Sequence, residues 1–580
     1  MELPDTSVSR PPPSEAVRKV SIYSHQAPLQ PVELRLGGNE GRAPSVSWLR
    51  KASKGLLDAV NRYPDARGLE EAIAARLGIT AEGVLVTAGG DEALDRICRA
   101  YLSRGREIIL PSPTFEMIPR YATLAGGSIV EVPWWEDRYP VEEVIAKKSA
   151  RAGIVAVISP NNPTGTYATR EDLQAIARAF PDSLLVVDQA YVEFTDHDLT
   201  KEIVAIPNAV GVRTFSKGFG LAGLRVGFVF GEPSIIEVLR AAGGPYPVAR
   251  SSIVLAGRCW NEPDPARAGV IARVRQEREE LFDLLLELGT KPLRSQANFV
   301  LAQTRNADPV RDLLLGMGVE VRSFPKLKQS VRITCPGDRR EFGRLKHALR
   351  SSLKPQALLF DLDGVLADVT FSYRATIIEA CQSFGVTVTP EMIKNKKLEG
   401  GFNNDWLLTH RLLKDHGVEV DFNVVRERFE LIYQGTDLNP GLRTTEKPLV
   451  PRKLLSELAG KLPLALVTGR PRLDVQRFLR EQESDTFFRT FVCMEDGPLK
   501  PDPAPVLCAM RRLRVKHAWM IGDAVDDIRA ARAARTVPVA VFNPSDRSSE
   551  AERALLEAGA ALVMRDTEEI LDLLKCTSIG

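Results

Sequence analysis

The chain has few of the features that mark secreted, membrane and nucleic-acid-binding proteins. Its 580 residues include 7 cysteines and no Cys-x-x-Cys pair, which argues against a disulfide framework or a zinc finger. A formal net charge of +2 gives no electrostatic reason to bind nucleic acid or an anionic membrane. No run of about 18 apolar residues occurs, so we expect no bilayer span. These absences predict a cytoplasmic protein with reduced thiols.

The length predicts more than one domain, because a single hydrophobic core stops growing well below 580 residues. The N-terminal residues 1–19 are polar and proline-rich, so we expect a disordered tail there. A short polar break at residues 351–355 (SSLKP) separates two long segments. We therefore place one domain at residues 20–353 and a second at residues 355–580.

Short apolar runs separated by helix-length stretches recur in both segments. They predict a mostly parallel α/β sheet in the first segment and an α/β core in the second. In the first segment these runs include residues 84–87, 154–158 and 184–187. The second segment opens with a buried-type strand at residues 357–360 and becomes helical and polar at about residues 369–455. The predicted fold class is therefore α/β throughout, with a helical insertion after the first strand of the second domain.

Polar residues suited to amine chemistry follow the strands of the first segment. Asp188 ends an apolar strand, where a carboxylate is costly unless a cation pairs with it. Lys217 lies in a strand-to-loop stretch, SKGFG, at residues 216–220. The sequence GGD at residues 89–91 ends a strand and opens a helix, so its N–H groups can bind a phosphate. A lysine, a carboxylate for a pyridine nitrogen and phosphate donors are what pyridoxal-phosphate (PLP) chemistry requires.

About residues 20–350 resemble the fold-type I, class I/II PLP-dependent aminotransferases, and within them the histidinol-phosphate branch. The resemblance rests on residues 62–65 (RYPD), 159–165 (SPNNPTG), 188–194 (DQAYVEF), 214–225 (TFSKGFGLAGLR) and 331–334 (VRIT). It implies that Lys217 is the Schiff-base lysine and that Asp188 holds the pyridine nitrogen. The further cofactor contacts that it implies are Gly90, Asp91, Phe115, Asn162, Tyr191, Ser216 and Arg225.

The same resemblance implies anion-binding side chains for the substrate. Arg332 would hold a substrate carboxylate, and Arg322 and Tyr23 are candidates for a substrate phosphate. A guanidinium suits either anion, because it can donate two parallel hydrogen bonds. Tyr63 is expected to reach the active site of a neighbouring subunit, which implies a homodimer.

Carboxylates follow the strands of the second segment in a similar way. Asp361 emerges from the strand at residues 357–360, and Asp363 lies two residues later. Further polar residues at strand ends or in the following loops are Thr468, Lys500, Asp523, Asp526 and Asp527. A carboxylate that attacks a phosphate needs a divalent cation to shield the two negative charges from each other.

These motifs resemble phosphohydrolases of the haloacid-dehalogenase (HAD) type with a C1 helical cap. The resemblance implies that Asp361 attacks phosphorus, while Asp363 protonates the leaving alcohol and then deprotonates water. It implies that Thr468 and Lys500 bind the phosphoryl oxygens. The residues implied to hold or support Mg²⁺ are Asp361, Asp363 through its carbonyl, Asp523, and either Asp526 or Asp527.

Both sites would handle a phosphomonoester, so the leading hypothesis is a bifunctional enzyme of histidine biosynthesis. One site would transaminate imidazole-acetol phosphate with glutamate, and the other would hydrolyse the product, L-histidinol phosphate. The first domain could instead resemble a threonine-phosphate decarboxylase or another amino-acid aminotransferase. The second domain could instead hydrolyse an unrelated small phosphoester, or sense a ligand without turnover.

Overall fold

The main sheet of the first domain consists of largely β-branched strands. These strands are buried because helices cover both faces of the sheet. The computed structural model describes residues 12–22, 27–54, 56, 60–135, 138–262, 265–402 and 404–576, apart from the side chain of Leu398. One strand, Gly227–Gly231, runs antiparallel to its two neighbours. The strands follow the order Val84–Thr87, Gly227–Gly231, Ala209–Thr214, Leu184–Asp188, Ala152–Ile158, Glu107–Ser112 and Ser128–Pro133.

The α-helices of the first domain differ in length, from single turns to the long helix Pro265–Glu287. None of the described helices is both long and apolar enough to cross a membrane. The helices are Glu15–Arg18, Val46–Ala52, Arg67–Leu77, Gly89–Tyr101, Met117–Leu124, Val141–Ala146, Arg170–Ala179, Thr200–Ala205, Pro233–Ala241, Arg250–Asn261, Pro265–Glu287, Ala307–Gly316 and Arg339–Leu353.

A smaller antiparallel sheet with its own hydrophobic core completes the first domain. Its strands follow the order Arg322–Phe324, Leu327–Thr334, Phe299–Gln303 and Lys291–Pro292. A separate parallel pair joins Leu34–Arg35 to Val319–Glu320. This pairing brings the segment that follows Arg35 to the smaller sheet, although the two are far apart in sequence.

The second domain is built on a six-stranded parallel sheet, which forms the centre of its predicted α/β core. The strand order is Phe488–Val492, Leu464–Val467, Ala357–Phe360, Ala518–Gly522, Val537–Val541 and Val563–Met564. The helices around it are Arg452–Lys461, Arg472–Glu481, Ala504–Leu513, Val525–Ala533, Ser549–Ala558 and Glu569–Cys576.

Residues 369–451 form a helical insertion in this second domain, where the sequence predicts one. Its helices are Tyr373–Ser383, Pro390–Glu399, Asp405–Asp415 and Phe422–Gln434, and its short hairpin pairs Gly435–Thr436 with Asn439–Pro440. The chain enters and leaves the insertion through the antiparallel pair Ala367–Asp368 and Lys447–Pro448. The helical content agrees with the prediction, while the assignment to the C1 cap type stays a prediction.

The two domains meet at the amino-terminal ends of the second sheet's strands. Trp519, at the start of its strand, is buried and donates its indole N–H to the Ser351 carbonyl at 2.8 Å. Arg532 donates to the Gly316 carbonyl at 2.9 Å, and a Cβ on Gly316 would lie 2.6 Å from the side chain of Ala561. Leu313 of the first domain belongs to the second domain's hydrophobic core, so the two domains share a buried hydrophobic contact.

Candidate active sites

The first site is a cavity of about 380 Å³ at the carboxyl ends of the parallel strands. Asp188 ends one strand of the sheet, and Lys217 lies three residues after the neighbouring strand. The predicted residues that line the cavity are Gly90, Asp91, Phe115, Asn162, Asp188, Tyr191, Ser216, Lys217, Arg225, Arg322 and Arg332. Parallel strands bring their carboxyl ends to one edge of a sheet, which explains why residues so distant in sequence meet there.

Asp188 is a buried carboxylate that forms no ion pair within the part of the chain that the structure describes. Its Oδ1 accepts the backbone N–H of Ala190 at 2.9 Å. Burial raises the pKa of Asp188 to about 6, and that hydrogen bond and the charge of Lys217 only partly oppose the rise. A cation bound against Asp188 would offset the cost of ionising it, and a protonated pyridine nitrogen is such a cation.

Lys217 lies beside this carboxylate with an amine suited to attack a carbonyl group. Burial, reinforced by the charge of Arg332, lowers the pKa of Lys217 to about 8. Its Nζ donates to the Gly38 carbonyl at 2.9 Å and lies 5.9 Å from the centre of the Tyr191 ring. A lowered pKa enlarges the neutral fraction of the amine near neutral pH, and the neutral amine is the nucleophile.

An anion-binding cradle lies where helix Gly89–Tyr101 begins, with the orphan N–H groups of its first turn. Arg225 donates to Asp91 at 2.7 Å and to the Ser216 hydroxyl at 3.3 Å, which holds its guanidinium at the start of the helix. Gly89 has a φ of +78°, and a Cβ there would lie 2.7 Å from Nη2 of Arg225. The positive φ therefore favours glycine at this position, and the donors fit a phosphate.

Two arginines from the smaller antiparallel sheet also border the cavity. Arg332 donates to Oδ1 of Asn162 and to the Gly37 carbonyl, each at 2.6 Å. Arg322 donates to Glu116 at 3.0 Å. Both guanidinium groups face the same space as Lys217, so the cavity can accommodate anionic groups in addition to a phosphate held at the helix.

Asn39 is a cavity residue that the sequence analysis does not identify. Its Nδ2 donates to the hydroxyl of Tyr191 at 3.0 Å, and its Oδ1 accepts from the Thr334 hydroxyl at 2.6 Å. Asn39 is 1% exposed and has a φ of 51°, so a buried amide in a turn orients the tyrosine. The only signal in the sequence is the turn-like GGNE at residues 37–40.

Two of the predicted site residues do not contribute to the described cavity. Tyr63 is 79% exposed and stacks on Tyr246, with the ring centres 4.6 Å apart. The two rings form an aromatic surface outside the cavity, and the contact of Tyr63 with a neighbouring subunit stays a prediction. Tyr23 lies outside the described residues.

The second site contains three carboxylates at the carboxyl ends of the second sheet. Oxygen atoms of Asp361, Asp523 and Asp527 lie within 4.8 Å of one another. The Nζ of Lys500 lies 2.9 Å from Oδ1 of Asp361 and 2.5 Å from Oδ1 of Asp527. One lysine thus contacts two of three clustered acids, which leaves an excess of negative charge when all three are ionised.

The pKa values in this cluster reflect burial and repulsion between the acids. Burial raises the pKa of Asp523 to about 6, and the charge of Asp527 adds to the rise. Burial also raises the pKa of Asp361 well above its usual range, although Lys500 opposes the change. For Lys500, burial favours the neutral amine, but Asp361 and Asp527 outweigh it and raise the pKa. An oxygen-only cluster with excess negative charge fits Mg²⁺.

The structure separates the remaining predicted acids from this cluster. The side chain of Asp363 instead contacts Arg470, whose Nε donates to Oδ1 at 2.6 Å. Asp526 accepts the backbone N–H of Gly401, in the helical insertion, at 2.8 and 2.9 Å. Asp527 rather than Asp526 therefore joins Asp361 and Asp523, because consecutive helical residues point in different directions.

Arg470 is the second residue that sequence reasoning leaves without a role, although it belongs to the stretch TGR at residues 468–470. It is 2% exposed, and its guanidinium carbon lies 4.5 Å from the centre of the Tyr373 ring. Its Nη1 donates to Glu446 at 2.9 Å, and its backbone N–H donates to the Thr468 hydroxyl at 3.2 Å. Thr468 is also buried, and it directly follows the strand Leu464–Val467.

Both segments match known protein families. The family model of aminotransferase class I and II matches residues 33–349, and that of haloacid dehalogenase-like hydrolase matches residues 355–535. The chain belongs to the class I and II aminotransferases. This aminotransferase carries a haloacid dehalogenase-like hydrolase as its second enzymatic domain, so both family resemblances seen in the sequence are confirmed, while the C1 type of the cap stays a prediction.

Two individual relatives show the extent of the similarity. The chain is 34% identical over 318 residues to a histidinol-phosphate aminotransferase of Chlorobium phaeovibrioides, which covers 53% of this chain and 87% of the relative. It is 42% identical over 223 residues to an imidazoleglycerol-phosphate dehydratase of Phytophthora nicotianae, covering 37% of this chain. The chain spans about half of that second relative, 48% of its length.

A solved structure confirms the predicted fold of the aminotransferase domain. The histidinol-phosphate aminotransferase of Sinorhizobium meliloti, in complex with pyridoxal-5'-phosphate, aligns with a TM-score of 0.53 at 24% identity. The alignment covers 59% of this chain and 96% of that protein. The first domain therefore has the fold of the type I PLP-dependent transferases, and the second has a HAD-like α/β fold.

Proposed function

We propose that the chain is a bifunctional enzyme that transaminates imidazole-acetol phosphate with glutamate and then hydrolyses the L-histidinol phosphate formed. The observation that carries this proposal is one chain with a PLP-type cavity bordered by two arginines and a separate acidic phosphatase-type cluster. The name of the Chlorobium relative supports the first substrate. The two reactions would be consecutive steps of histidine biosynthesis.

The donor set of the first cavity fits PLP, which supplies an electron sink to the substrate's amine carbon when bound. Asp188 would pair with the pyridine nitrogen, and Lys217 would hold the aldehyde carbon and move the substrate proton. Phe115 would stack on the ring. The residues proposed to contact the ring oxygen are Asn162 and Tyr191, and those proposed to bind the phosphate are Gly90, Asp91, Ser216 and Arg225.

The two arginines would select substrates that carry a second anion. Arg332 would bind the α-carboxylate of glutamate, and Arg322 would bind the phosphate of the imidazole substrate, because each guanidinium borders the cavity. Tyr63 would complete the site of a neighbouring subunit in a homodimer, and Tyr23 is a further candidate for the phosphate. The exposed Tyr63–Tyr246 stack supports a subunit contact on that face.

In the hydrolase domain, Asp361, Asp523 and Asp527 would hold Mg²⁺ together with the backbone carbonyl of Asp363. The metal would shield the phosphate charge from the attacking carboxylate. Asp361 would attack phosphorus, and Asp363 would serve as the general acid and then the general base. The residues proposed to bind the phosphoryl oxygens are Thr468 and Lys500.

Two relatives favour an imidazole phosphoester as the shared substrate class. The names of the Chlorobium and Phytophthora relatives both refer to imidazole compounds that carry one phosphate. We further propose that the domains divide at residues 353–355, where helix Arg339–Leu353 ends before strand Ala357–Phe360. We also propose a reducing, cytoplasmic location, because no disulfide joins the described cysteines Cys98, Cys335, Cys381, Cys493, Cys508 and Cys576.

The test is an assay of the full-length protein with PLP, Mg²⁺, glutamate and imidazole-acetol phosphate. Inorganic phosphate and 2-oxoglutarate are followed together, and we expect both to form, with phosphate release dependent on glutamate. Formation of 2-oxoglutarate without phosphate would remove histidinol phosphate as the hydrolase substrate. Release of CO₂ in place of 2-oxoglutarate formation would instead indicate a decarboxylase.

A further inference from the structure

Arg470 occupies an unusual position next to the acid of the hydrolase site. Two of its nitrogens, Nε and Nη2, lie 2.6 and 2.5 Å from the same oxygen of Asp363, Oδ1. Within the described chain, Oδ2 of Asp363 has no hydrogen-bond or ion-pair partner. One carboxylate oxygen is therefore fixed by the arginine, and the other is left to exchange a proton.

The remaining face of Arg470 contacts the helical insertion. Its Nη1 donates to Glu446 at 2.9 Å, just before the strand Lys447–Pro448 by which the chain leaves the insertion. Glu446 also accepts from the Ser372 hydroxyl at 3.0 Å and from the Tyr433 hydroxyl at 2.9 Å. These partners belong to the start of the insertion and to its last helix, so the arginine joins the acid to both connections of the insertion.

The contacts of the Arg470 side chain leave it little freedom to change its orientation. Its guanidinium is buried between two carboxylates and packs on the Tyr373 ring. Removing one partner of a buried ion pair is strongly destabilising, because the other charge is left uncompensated. A side chain locked in this way can fix the orientation of a neighbouring carboxylate.

We propose that Arg470 is a positioning residue of the hydrolase reaction, which orients Asp363 toward the leaving group through Oδ1 and couples that orientation to the seating of the helical insertion through Glu446. The inference rests on the proposed phosphatase function. It assigns Arg470 no contact with the substrate, so its effect passes through Asp363.

The chemistry of Asp363 defines what such positioning changes. In the first step an oxygen of Asp361 bonds to phosphorus, the bond from phosphorus to the leaving oxygen breaks, and Oδ2 of Asp363 gives its proton to that oxygen. In the second step the oxygen of water bonds to phosphorus, Asp363 takes the proton of the water, and the bond to Asp361 breaks. An alkyl alcohol needs the proton in the first step, whereas p-nitrophenolate leaves without it.

The experiment compares kcat/KM for L-histidinol phosphate and for p-nitrophenyl phosphate in full-length Arg470→Lys with Mg²⁺. Since kcat/KM reports only the steps through phosphoenzyme formation, it isolates the protonation of the leaving group. Losing a positioned acid costs about 10²-fold or more. We expect a loss of about 10²-fold for the alkyl phosphate and of less than about tenfold for the aryl phosphate.

A double-mutant cycle with Asp363→Asn tests whether the arginine acts through the acid. If it does, Arg470→Lys adds almost nothing to the loss already caused by Asp363→Asn, because coupled residues are non-additive. Arg470→Met combined with Glu446→Gln supplies a second variant, which removes the arginine together with its buried partner Glu446 and should show the same selective loss for the alkyl phosphate. The matched control is Arg512→Lys, an exposed arginine paired with Asp496 in the same domain, which should leave both activities unchanged.

Equal losses for both substrates in folded Arg470→Lys, or additive losses in the cycle, would overturn the proposal. Circular dichroism and an unchanged aminotransferase activity establish that each variant is folded. If the unaltered protein hydrolyses neither phosphoester, the proposed phosphatase function itself fails, and that outcome is separate from any result with the variants.

Discussion

Asp188 and Lys217 face the aminotransferase cavity without forming an ion pair with each other, whereas Asp361, Asp527 and Lys500 of the hydrolase site are in direct contact. In the first site, burial shifts the acid and the amine toward their neutral forms. In the second, the acids stay crowded around one lysine. The first arrangement suits an organic cofactor that supplies charged groups to the cavity, such as a cation that pairs with Asp188. The second arrangement suits a metal ion that neutralises carboxylates.

The largest expected effect is a loss of the hydrolase activity that leaves the aminotransferase activity unchanged. Asp361→Asn removes the proposed nucleophile while keeping its shape, so we expect phosphate release to fall by about 10³-fold or more. Formation of 2-oxoglutarate by the same preparation should stay unchanged. A variant that keeps its phosphatase activity would show that the hydrolase domain uses different chemistry or only senses a ligand.

The corresponding change at the other site is Lys217→Ala. Loss of the amine should lower transamination by about 10³-fold or more, while hydrolysis of added L-histidinol phosphate continues at the original rate. The absorbance of bound PLP reports cofactor retention independently of turnover. Lys201→Ala is the control, since Lys201 lies in the helix Thr200–Ala205 and does not line the cavity. Retained transamination in Lys217→Ala would contradict the proposed role.

A smaller effect concerns the PLP-free protein and the buried acid Asp188. Because its folded pKa is raised to about 6, the stability it contributes is complete below its unfolded pKa and is lost as the pH rises through about 6. Asp188→Asn does not ionise, so at pH 7 the PLP-free variant should be more stable by up to about 3 kcal/mol.

Urea unfolding of the PLP-free proteins at about pH 4 and at pH 7 measures this difference. The difference should be much smaller at the lower pH, because the folded carboxyl group is protonated there and the unfolded one is only about half ionised. PLP should reverse the order at pH 7 by binding the unaltered protein more tightly. A gap that is independent of pH would mean that Asp188 is not the titrating group.

The smallest effect tests whether the two sites depend on how the domains dock. Trp519→Phe removes the hydrogen bond to the Ser351 carbonyl and should destabilise the chain by about 1–2 kcal/mol. Both activities should stay the same. Trp406→Phe, which removes an indole hydrogen bond to Glu430 away from the interface, is the matched control. A selective loss of one activity in Trp519→Phe would reveal communication through the docking surface.

The two sites also show which structural features the sequence could predict. Asp188 and Asp361 each end or follow an apolar run, so their place at the edge of a parallel sheet follows from local pattern alone. The cavity residues Asn162, Tyr191 and Arg225 lie in the motifs that carry the resemblance to the aminotransferases. Position along a strand and motif identity are both readable from a linear sequence.

Contacts between distant segments were not readable in this way. Asn39 meets Tyr191 across 152 residues, and Arg470 meets Asp363 across 107. The choice between Asp526 and Asp527 depends on which side of a helix faces the cluster, and adjacent acids give no preference in the sequence. Burial, too, was not predictable for Arg470, because arginine is seldom buried without partners that only the fold supplies.

The way in which the two domains dock affects how a compound can pass from one active site to the other. The aminotransferase contacts the hydrolase sheet where its strands begin, and the acidic cluster lies where the same strands end. A strand of four or five residues spans about 15 Å, so within one chain the phosphatase cluster opens away from the surface that binds the aminotransferase domain. Among the described residues, that surface therefore provides no covered passage between the two sites, and what the fusion guarantees is equal numbers of both catalysts.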